Sequence, residues 1–215
     1  METMQDQKKL AEIYLKHLNN QELTPEELRF IYEIDRKIKI FGYIRDPRIE
    51  EILISRNKRK DLSIIFNCQE DEIAMYENEI TDNTRVIYMP GVILKLEKLP
   101  PNLEYAFCSL DLRNAPIKSL GKLKRVVWSL YLSNSQIENL GDLEEVGWDL
   151  DLRNAPIKSL GKLKRVGCSL YLSNSQIENL GDLKEVRYIF ISRRQIKLKK
   201  ILIEKGWKAK IRYID

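Results

Sequence analysis

The sequence contains one histidine, His17, and three cysteines, Cys68, Cys108 and Cys168, among 215 residues. A single histidine limits histidine-based catalysis and metal binding to one position, and three cysteines are too few for a disulfide scaffold. Apolar runs are short, as in SIIF at 63–66, so none has the length needed to span a bilayer. The N-terminal residues METMQDQKKLAEIY also lack the apolar core of a signal peptide. These shortages predict a cytoplasmic protein that does not enter a membrane.

Motifs of familiar catalytic chemistry are missing as well. The sequence has no glycine-rich phosphate-binding loop, no CxxC pair and no HExxH pair. His17 has no cysteine or serine nucleophile motif beside it, so a structural role is the simpler interpretation. Cys68 stands beside the acidic run QEDE, which disfavours a reactive thiolate and matches no calcium loop. We therefore predict a non-enzymatic protein without a metal or cofactor.

The net charge of +5 is distributed unevenly along the chain. Residues 1–84 carry 13 basic and 18 acidic side chains, whereas residues 187–215 carry 10 basic and 2 acidic ones. Such an asymmetry has two interpretations. The basic end is either a solvated cap of the fold or a contact surface for nucleic acid or another acidic partner.

An internal repeat dominates the second half of the chain. Residues 109–148 and 149–188 form two 40-residue blocks that differ at six positions, and each block consists of two 20-residue halves with the template LxLxxxxIxxLxxLxxV. A fifth repeat, YIFISRRQIKL, fits the template with one residue deleted. A fixed period of this length indicates a solenoid, in which stacking is obligatory because one coil cannot bury both of its faces.

The spacing of apolar residues predicts the shape of each coil. Leu110 and Leu112 alternate with polar residues and indicate a short strand with one buried face. Asn114 follows at a turn, since asparagine tolerates left-handed backbone. Four further apolar residues recur every third position and indicate a tight 3₁₀-like or extended return. They are Ile117, Leu120, Leu123 and Val126.

This pattern resembles the leucine-rich repeat family, in its short bacterial class of about 20 residues per repeat, over roughly half of the chain. The resemblance implies an α/β fold, a right-handed solenoid with a parallel sheet, and a binding scaffold without a specified ligand. Two features depart from the family pattern. The step from Val126 to Leu130 is one residue longer than usual, and the usual inward asparagine position holds small residues. Because these are Ala115, Ser135, Ala155 and Ser175, no continuous asparagine ladder is expected.

The regions outside the repeats complete a three-part organisation. We predict a mainly helical N-terminal domain over 1–84, a solenoid over 85–196 and a basic C-terminal cap over 197–215. The cap is predicted to be a helix ending at Gly206, followed by a strand. Stacked coils need such a cap because the end of a solenoid otherwise exposes apolar side chains.

Local signals predict the elements of the N-terminal region. QKKLAEIYLKHL reads as a helix, and TPEELRFIYEIDRKIKIFG as a second one that begins at the capping box of Thr24 and Glu27 and ends at Gly42. A third helix begins after Asp46. LSIIF at 62–66 reads as a buried strand, and CQEDEIAMYE at 68–77 as a short helix.

Outward-facing residues of the predicted strands form columns along the stack. One column alternates aspartate and tyrosine. The neighbouring column contains arginine. Tyrosine and arginine are both residue types that anchor protein interfaces. We predict a partner-binding face made of Asp111, Arg113, Tyr131, Asp151, Arg153, Tyr171, Tyr188 and Phe190. An equally simple interpretation is that the aspartates only neutralise the arginines. A third hypothesis, that the protein inhibits another bacterial or phage enzyme, is indistinguishable from partner binding at the level of sequence.

The basic end gives the alternative to protein binding. Its mixture of cationic and aromatic residues suits nucleic acid, although no known nucleic-acid motif is present. The candidate contacts are Arg193, Arg194, Lys197, Lys199, Lys200, Trp207, Lys208 and Lys210.

The side of the coil opposite these strands alternates in charge from one repeat to the next. Lysine and arginine in 118–125 face glutamate and aspartate in 138–145, and the alternation repeats in the second block. Oppositely charged neighbours favour one stacking register and disfavour a slip by one coil. We interpret this alternation as control of register. Cys108 and Cys168 are three coils, or roughly 15 Å, apart, which is too far for a disulfide.

Overall fold

The computed structural model describes residues 2–38, 45–207 and 210–214. The chain divides into two compact units, Met1–Glu70 and Asp71–Asp215. The first strand of the sheet, Ile73–Ala74, belongs to the second unit and precedes residue 85, where the sequence placed the start of the solenoid. Its coil lacks the leucine template, and for this reason the repeat pattern did not reveal it.

The first unit contains the helices α1 (Glu2–Leu18), α2 (Pro25–Ile31), α3 (Pro47–Ile54) and α4 (Lys58–Phe66). Thr24 and Glu27 form the capping box of α2, as predicted, and the Asp46 side chain caps α3 by accepting from the Arg48 amide. These caps satisfy backbone N–H groups that have no partner within the helix.

Three local predictions in this region were wrong. Helix α2 ends at Ile31 because Glu33 adopts a positive φ of 52°, which helical backbone does not allow; Gly42, its predicted end, lies outside the described residues. LSIIF belongs to α4, which Asn57 caps; Leu62, Ile65 and Phe66 are buried at helical spacing, and Ile64 is exposed. The segment 68–77 forms the strand β1 (Ile73–Ala74) between two single 3₁₀ turns, Glu70–Glu72 and Glu77–Glu79, and contains no α-helix.

The second unit is a parallel-sheet β-solenoid of about six turns. Two ladders of parallel strands run along it, and most coils contribute one strand segment to each. The first ladder contains β1, β2 (Val86–Ile87), β4 (Tyr105–Ala106), β6 (Arg125–Val126) and β8 (Glu145–Val146). The second contains β3 (Ile93–Lys95), β5 (Ser109–Asp111), β7 (Leu130–Tyr131) and β9 (Leu150–Asp151). The long strands β10 (Arg165–Tyr171) and β11 (Glu185–Ile191) run through both ladders.

Each coil buries its template residues in one continuous core. Leu110, Leu112, Leu120, Leu123 and Val126 are all at most 3% exposed, and their equivalents in later coils join the same cluster. The return segment of the coil is extended, which was one of the two predicted alternatives. It contributes the strand β6 and an isolated β-bridge between residues 119 and 139. The pairing register shifts between Val166 and Ser169, which accommodates the residue that the fifth repeat lacks.

Asparagines of successive coils hydrogen-bond to one another at the exposed turn, one residue before the inward position. Asn154 Nδ2 donates to Asn134 Oδ1 at 2.8 Å, and Asn174 Nδ2 donates to Asn154 Oδ1 at 3.1 Å. These residues and Asn114 adopt positive φ of 57–61°, as predicted for the turn. Ala115, Ser135 and Ala155 at the inward position are buried, Ser175 is half-buried, and Ser135 donates to the Leu132 carbonyl of its own coil at 2.7 Å.

The alternating charges of the return side form ion pairs between neighbouring coils. Lys118 lies 3.1 Å from Glu138, Lys162 lies 2.6 Å from Asp142, and Lys164 lies 2.8 Å from Glu144. Each exposed pair contributes little stability by itself. Together they match the predicted role, because a slip by one coil would place like charges side by side.

The last coil is closed by α5 (Ile196–Glu204) and β12 (Ile211–Tyr213), which pairs in parallel with β11. Leu198 and Leu202 of α5 are buried in the solenoid core, and Gly206 ends the helix with a φ of 83°, as predicted. The helix therefore covers apolar residues that another coil would otherwise have to bury. Among the described residues, no helix combines the length and apolar character needed to cross a membrane.

Candidate functional site

The second ladder carries the predicted partner-binding residues, and we call its outward surface the strand face. Its central column is in register from coil to coil: Asp111 pairs with Tyr131, Tyr131 with Asp151, Asp151 with Tyr171, and Tyr171 with Phe190. Ser169 pairs with Tyr188 two residues earlier, on the same side of the strands. The central column predicted from the period of 20 is therefore confirmed.

Each arginine of the strand face is clamped by the aspartate two residues before it. Arg113 donates from Nε and Nη2 to the two carboxylate oxygens of Asp111 at 2.8 and 2.6 Å, and the Arg113 amide donates to the same carboxylate at 3.1 Å. Arg153 repeats these bonds to Asp151 at 2.9, 2.7 and 3.1 Å. The arginine holds the pKa of the Asp111 carboxyl below its usual range by hydrogen bonding, against a smaller opposing effect of burial.

Tyrosine rings of the following coil fix the other side of these guanidinium groups. The Arg113 Cζ atom lies 5.6 Å from the ring centre of Tyr131, and the Arg153 Cζ atom lies 5.5 Å from that of Tyr171. Both distances are typical of cation–π contacts. Each arginine is therefore held by a bidentate ion pair within its own coil and by a ring of the next coil.

The aspartates and the arginines of the strand face differ in solvent exposure. Asp111 and Asp151 are only 7% and 3% exposed, whereas the side chains of Arg113 and Arg153 remain about half exposed. The aspartates therefore position the arginines and offer little surface of their own. The Nη1 group of each arginine, with two N–H bonds, is not used by the clamp and is available as a donor.

Aromatic residues continue the strand face toward the C-terminus. Tyr171 stacks on Phe190 with ring centres 4.7 Å apart, and Tyr188 contacts Phe190 at 6.4 Å. Arg212 of β12 pairs in register with Phe190, and its Cζ atom lies 5.0 Å from the ring centre of Tyr188.

The sequence-based selection omitted two cations at the ends of the central column. Lys95 pairs in register with Asp111, and Arg212 pairs with Phe190. Both are exposed. The leucine template does not reach either strand. Alternation within ILK and IRY could have placed both lysine and arginine outward once the strands were recognised.

Most of the residues proposed for nucleic-acid contact are exposed. Arg193 and Lys199 converge on Tyr213, with cation-to-centre distances of 5.6 and 5.5 Å. Arg194, Lys197, Lys200 and Lys210 are exposed. Trp207 is half-buried against the solenoid core, which indicates a structural role. Lys208 lies outside the described residues.

The remaining candidates for chemistry are dispersed. His17 is half-buried beside the Tyr14 ring, and the three cysteines are free thiols. Burial raises the pKa of the Cys108 thiol to about 12. Within the described ranges, no three histidine, cysteine, aspartate or glutamate residues form a group that could hold a metal ion.

A pair of tryptophans lies at the corner between the two ladders. Trp128 and Trp148 stack with ring centres 5.8 Å apart, and Trp148 is 52% exposed. The exposure of Trp148 leaves its ring largely accessible at this corner.

Comparison with known proteins gives no relative on which to base a function. No protein-family model, curated protein or solved structure matches this chain.

Proposed function

We propose that this protein is a non-enzymatic scaffold that binds a protein partner through the strand face. In this proposal the solenoid is of the leucine-rich repeat type, and the helices of the first unit form an N-terminal domain attached to it. The supporting sequence features are the 20-residue period and the LxL strands. The extended returns fit this class because 20 residues leave little room for a helix in each coil.

One observation carries the proposed binding role: Arg113 and Arg153 are each held by an ion pair and a tyrosine ring while staying half exposed. A side chain that is already fixed loses less conformational entropy when a partner binds. Arginine and tyrosine are also enriched among the residues that dominate interface energies. Ion pairs at a protein surface contribute little to stability, so a stabilising role alone is a weak explanation for the pairing of these arginines with aspartates.

Partner recovery from the cell of origin tests the proposal. We expect the double variant Tyr131→Ala with Tyr171→Ala to lose most of the partner that the wild-type protein retains, because the tyrosines fix the arginines. The control variant Lys118→Gln with Lys158→Gln removes two exposed charges from the return side and should retain it. Equal recovery with all three proteins would remove the strand face from consideration.

Nucleic-acid binding through the basic C-terminal cap is the second candidate function. It is favoured by the convergence of Arg193 and Lys199 on the ring of Tyr213, since cations beside an aromatic ring suit a phosphate next to a base. The test is a gel shift at low and moderate salt with the wild type and with Arg193→Gln, Lys199→Gln. Absence of a shift at low salt would exclude this candidate, because phosphate contacts strengthen as salt is lowered.

A further inference from the structure

The strand face presents one arrangement of aspartate, arginine and tyrosine twice, forty residues apart. The arginine-to-ring distances of the two copies agree within 0.1 Å, at 5.6 and 5.5 Å, and the clamping hydrogen bonds have matching lengths. Asp111 and Asp151 both pair with Tyr131, so one coil lies between the two coils that carry the arginines. Arg113 and Arg153 are therefore equivalent donors about 9.6 Å apart, which is twice the spacing of neighbouring strands.

This separation discriminates among the regular conformations of a bound segment. Residues on one face of an extended strand recur about every 6.6 Å, so their spacing does not match the two arginines. An α-helix returns to the same face after seven residues, or about 10.5 Å. A polyproline II helix has three residues per turn and a rise of 3.1 Å, so every third residue lies on the same side at intervals of about 9.3 Å. The last conformation gives the best match.

We infer that the strand face binds an acidic, proline-rich segment of a partner protein in the polyproline II conformation, with a carboxylate at every third residue facing Arg113 and Arg153. This inference rests on the proposed function and specifies its partner. The donors are the Nη1 groups that the clamp leaves available, and arginine binds carboxylates strongly through such charge-assisted bonds. Both partners are preorganised, because the arginines are fixed and proline restricts the segment, and this reduces the entropy lost on binding.

The charge of the surrounding surface supports an acidic partner. The carboxylates of Asp111 and Asp151 are occupied by the arginines and are buried. Lys95 and Arg212 extend the same column at its two ends and add positive charge. The attraction of these two cations falls off with salt over about 10 Å, so they assist the encounter more than they fix the register.

One residue of the strand face opposes such a partner. Asp149 is half-buried and accepts a hydrogen bond from the Ser169 amide at 2.9 Å. The other three repeats carry serine at the equivalent positions, 109, 129 and 169. The variant Asp149→Ser is therefore compatible with the fold and removes one negative charge beside the proposed segment. We expect it to bind the acidic segment about twofold to fivefold more tightly, as one screened charge contributes under about 1 kcal/mol.

Synthetic peptides of equal composition test the spacing directly. The matching peptide is four repeats of Asp-Pro-Pro, and the mismatched peptide is two repeats of Asp-Asp-Pro-Pro-Pro-Pro, whose aspartates are never three residues apart. A neutral peptide of Asn-Pro-Pro repeats and an oligothymidylate of twelve nucleotides complete the set. Binding of each labelled probe to the full chain is measured by fluorescence anisotropy at low salt.

The repeat itself supplies the matched variant. Asp151→Tyr with Arg153→Ser introduces the residues that the alternate coils carry at the same two positions, leaves the net charge unchanged and leaves Arg113 as the single clamped arginine. The control is Lys118→Gln with Lys158→Gln on the return side. Thermal unfolding of each variant verifies that the solenoid is intact.

The inference predicts that the matching peptide binds the wild type at least tenfold more tightly than the mismatched and neutral peptides. It also predicts that the Asp151→Tyr, Arg153→Ser variant removes this preference, and that the control changes affinity less than twofold. Equal affinity for the two acidic peptides, or binding of none of them, would overturn the inference. So would tighter binding of oligothymidylate that the same variant abolishes. If protein partner recovery still depends on the tyrosines in those cases, the proposed function stands and only the acidic polyproline partner is rejected.

Discussion

The side-chain amide of Gln195 donates hydrogen bonds to the carbonyl oxygens of Leu172, at 2.8 Å, and Ser175, at 3.2 Å, in the preceding coil. Its own oxygen accepts from the Ser192 amide at 2.8 Å. In an earlier coil, the carbonyl equivalent to that of Ser175, which belongs to Ala115, accepts a hydrogen bond from the Gln136 amide of the next coil. Gln195 takes over this role where the repeats end, and helix α5 follows immediately with its two buried leucines.

The basic C-terminal cap is therefore expected to matter for stability through its apolar side. Replacing Leu198 and Leu202 with alanine should lower the free energy of unfolding by about 4 kcal/mol or more, since each buried leucine typically contributes 2–5 kcal/mol. Urea unfolding followed by tryptophan fluorescence measures this, because Trp128, Trp148 and Trp207 all lie in the solenoid unit. The control Lys199→Gln with Lys200→Gln alters exposed residues and should change stability by under about 0.5 kcal/mol. If the lysine substitutions lowered the free energy of unfolding more than the leucine substitutions did, a capping role of α5 would be contradicted.

The corner between the two ladders is expected to be intolerant of side chains at Gly147. A Cβ atom there would lie 1.9 Å from the carbonyl oxygen of Val127, which is backbone and has little room to move. Gly147→Ala should therefore cost about 1–3 kcal/mol of stability. Val127→Ala retains a Cβ atom at the same corner one coil earlier, and we expect less than half of that loss. Thermal unfolding of the two variants makes the comparison, and equal stability of Gly147→Ala and wild type would show that the coils can separate at this corner.

The ion pair of Asp111 predicts a dependence of stability on pH. Hydrogen bonds from Arg113 lower the pKa of this carboxyl in the folded state, below the value of about 3.9 expected in the unfolded chain. The pair therefore contributes its full stabilisation above about pH 4 and loses it as the pH falls through the lower, folded-state pKa. In Asp111→Asn the free energy of unfolding should decline less between pH 5 and pH 2.5 than in wild type. Parallel urea titrations across this range measure the difference, and identical slopes would contradict the assigned role of the pair.

The thiols are expected to differ in reactivity. Cys108 is fully buried and its pKa is raised to about 12, so almost no thiolate forms at pH 8. Cys68 and Cys168 are half-buried. Alkylation by iodoacetamide at pH 8, mapped by mass spectrometry, should modify the latter two first and Cys108 only after urea is added. Cys108→Ala provides the control for peptide assignment. Rapid modification of Cys108 in native buffer would mean that the core opens at this coil.

The repeated part of the fold could be predicted because its period of 20 residues is directly visible in the sequence. The buried leucines, the left-handed turn asparagines and the columns of the strand face all depend on a spacing of 20, and the structure has them where the spacing put them. The first coil was missed because Ala74 joins the same core without the leucine template.

Errors arose where a short pattern fits two structures. SIIF has the composition of a strand, and only the cap at Asn57 and the helical spacing of its buried residues distinguish the helix that forms. The hydrogen bonds that join Asn134, Asn154 and Asn174 were not predicted, because the spacing identifies turn residues but not which side chains pair.

At the candidate site, residue types and register could be predicted, but not the roles of individual residues. The sequence left open whether the aspartates bind a partner or neutralise the arginines. Their burial and their bidentate bonds favour the second role for Asp111 and Asp151, a distinction that depends on side-chain geometry and not on spacing. Lys95 and Arg212 were not predicted to lie on the strand face because their strands lie outside the repeated blocks.

Site-specific photo-crosslinking in the cell of origin tests most directly whether the strand face binds a protein. A benzophenone side chain is placed at Tyr131 on the strand face or, as the control, at Lys158 on the return side. We predict that irradiation joins the Tyr131 variant to one protein species, that the Lys158 variant gives no such product, and that Arg113→Ser combined with Asp111→Tyr weakens the crosslink. The same products from both positions, or a product at Tyr131 that contains nucleic acid and no protein, would contradict the proposed function.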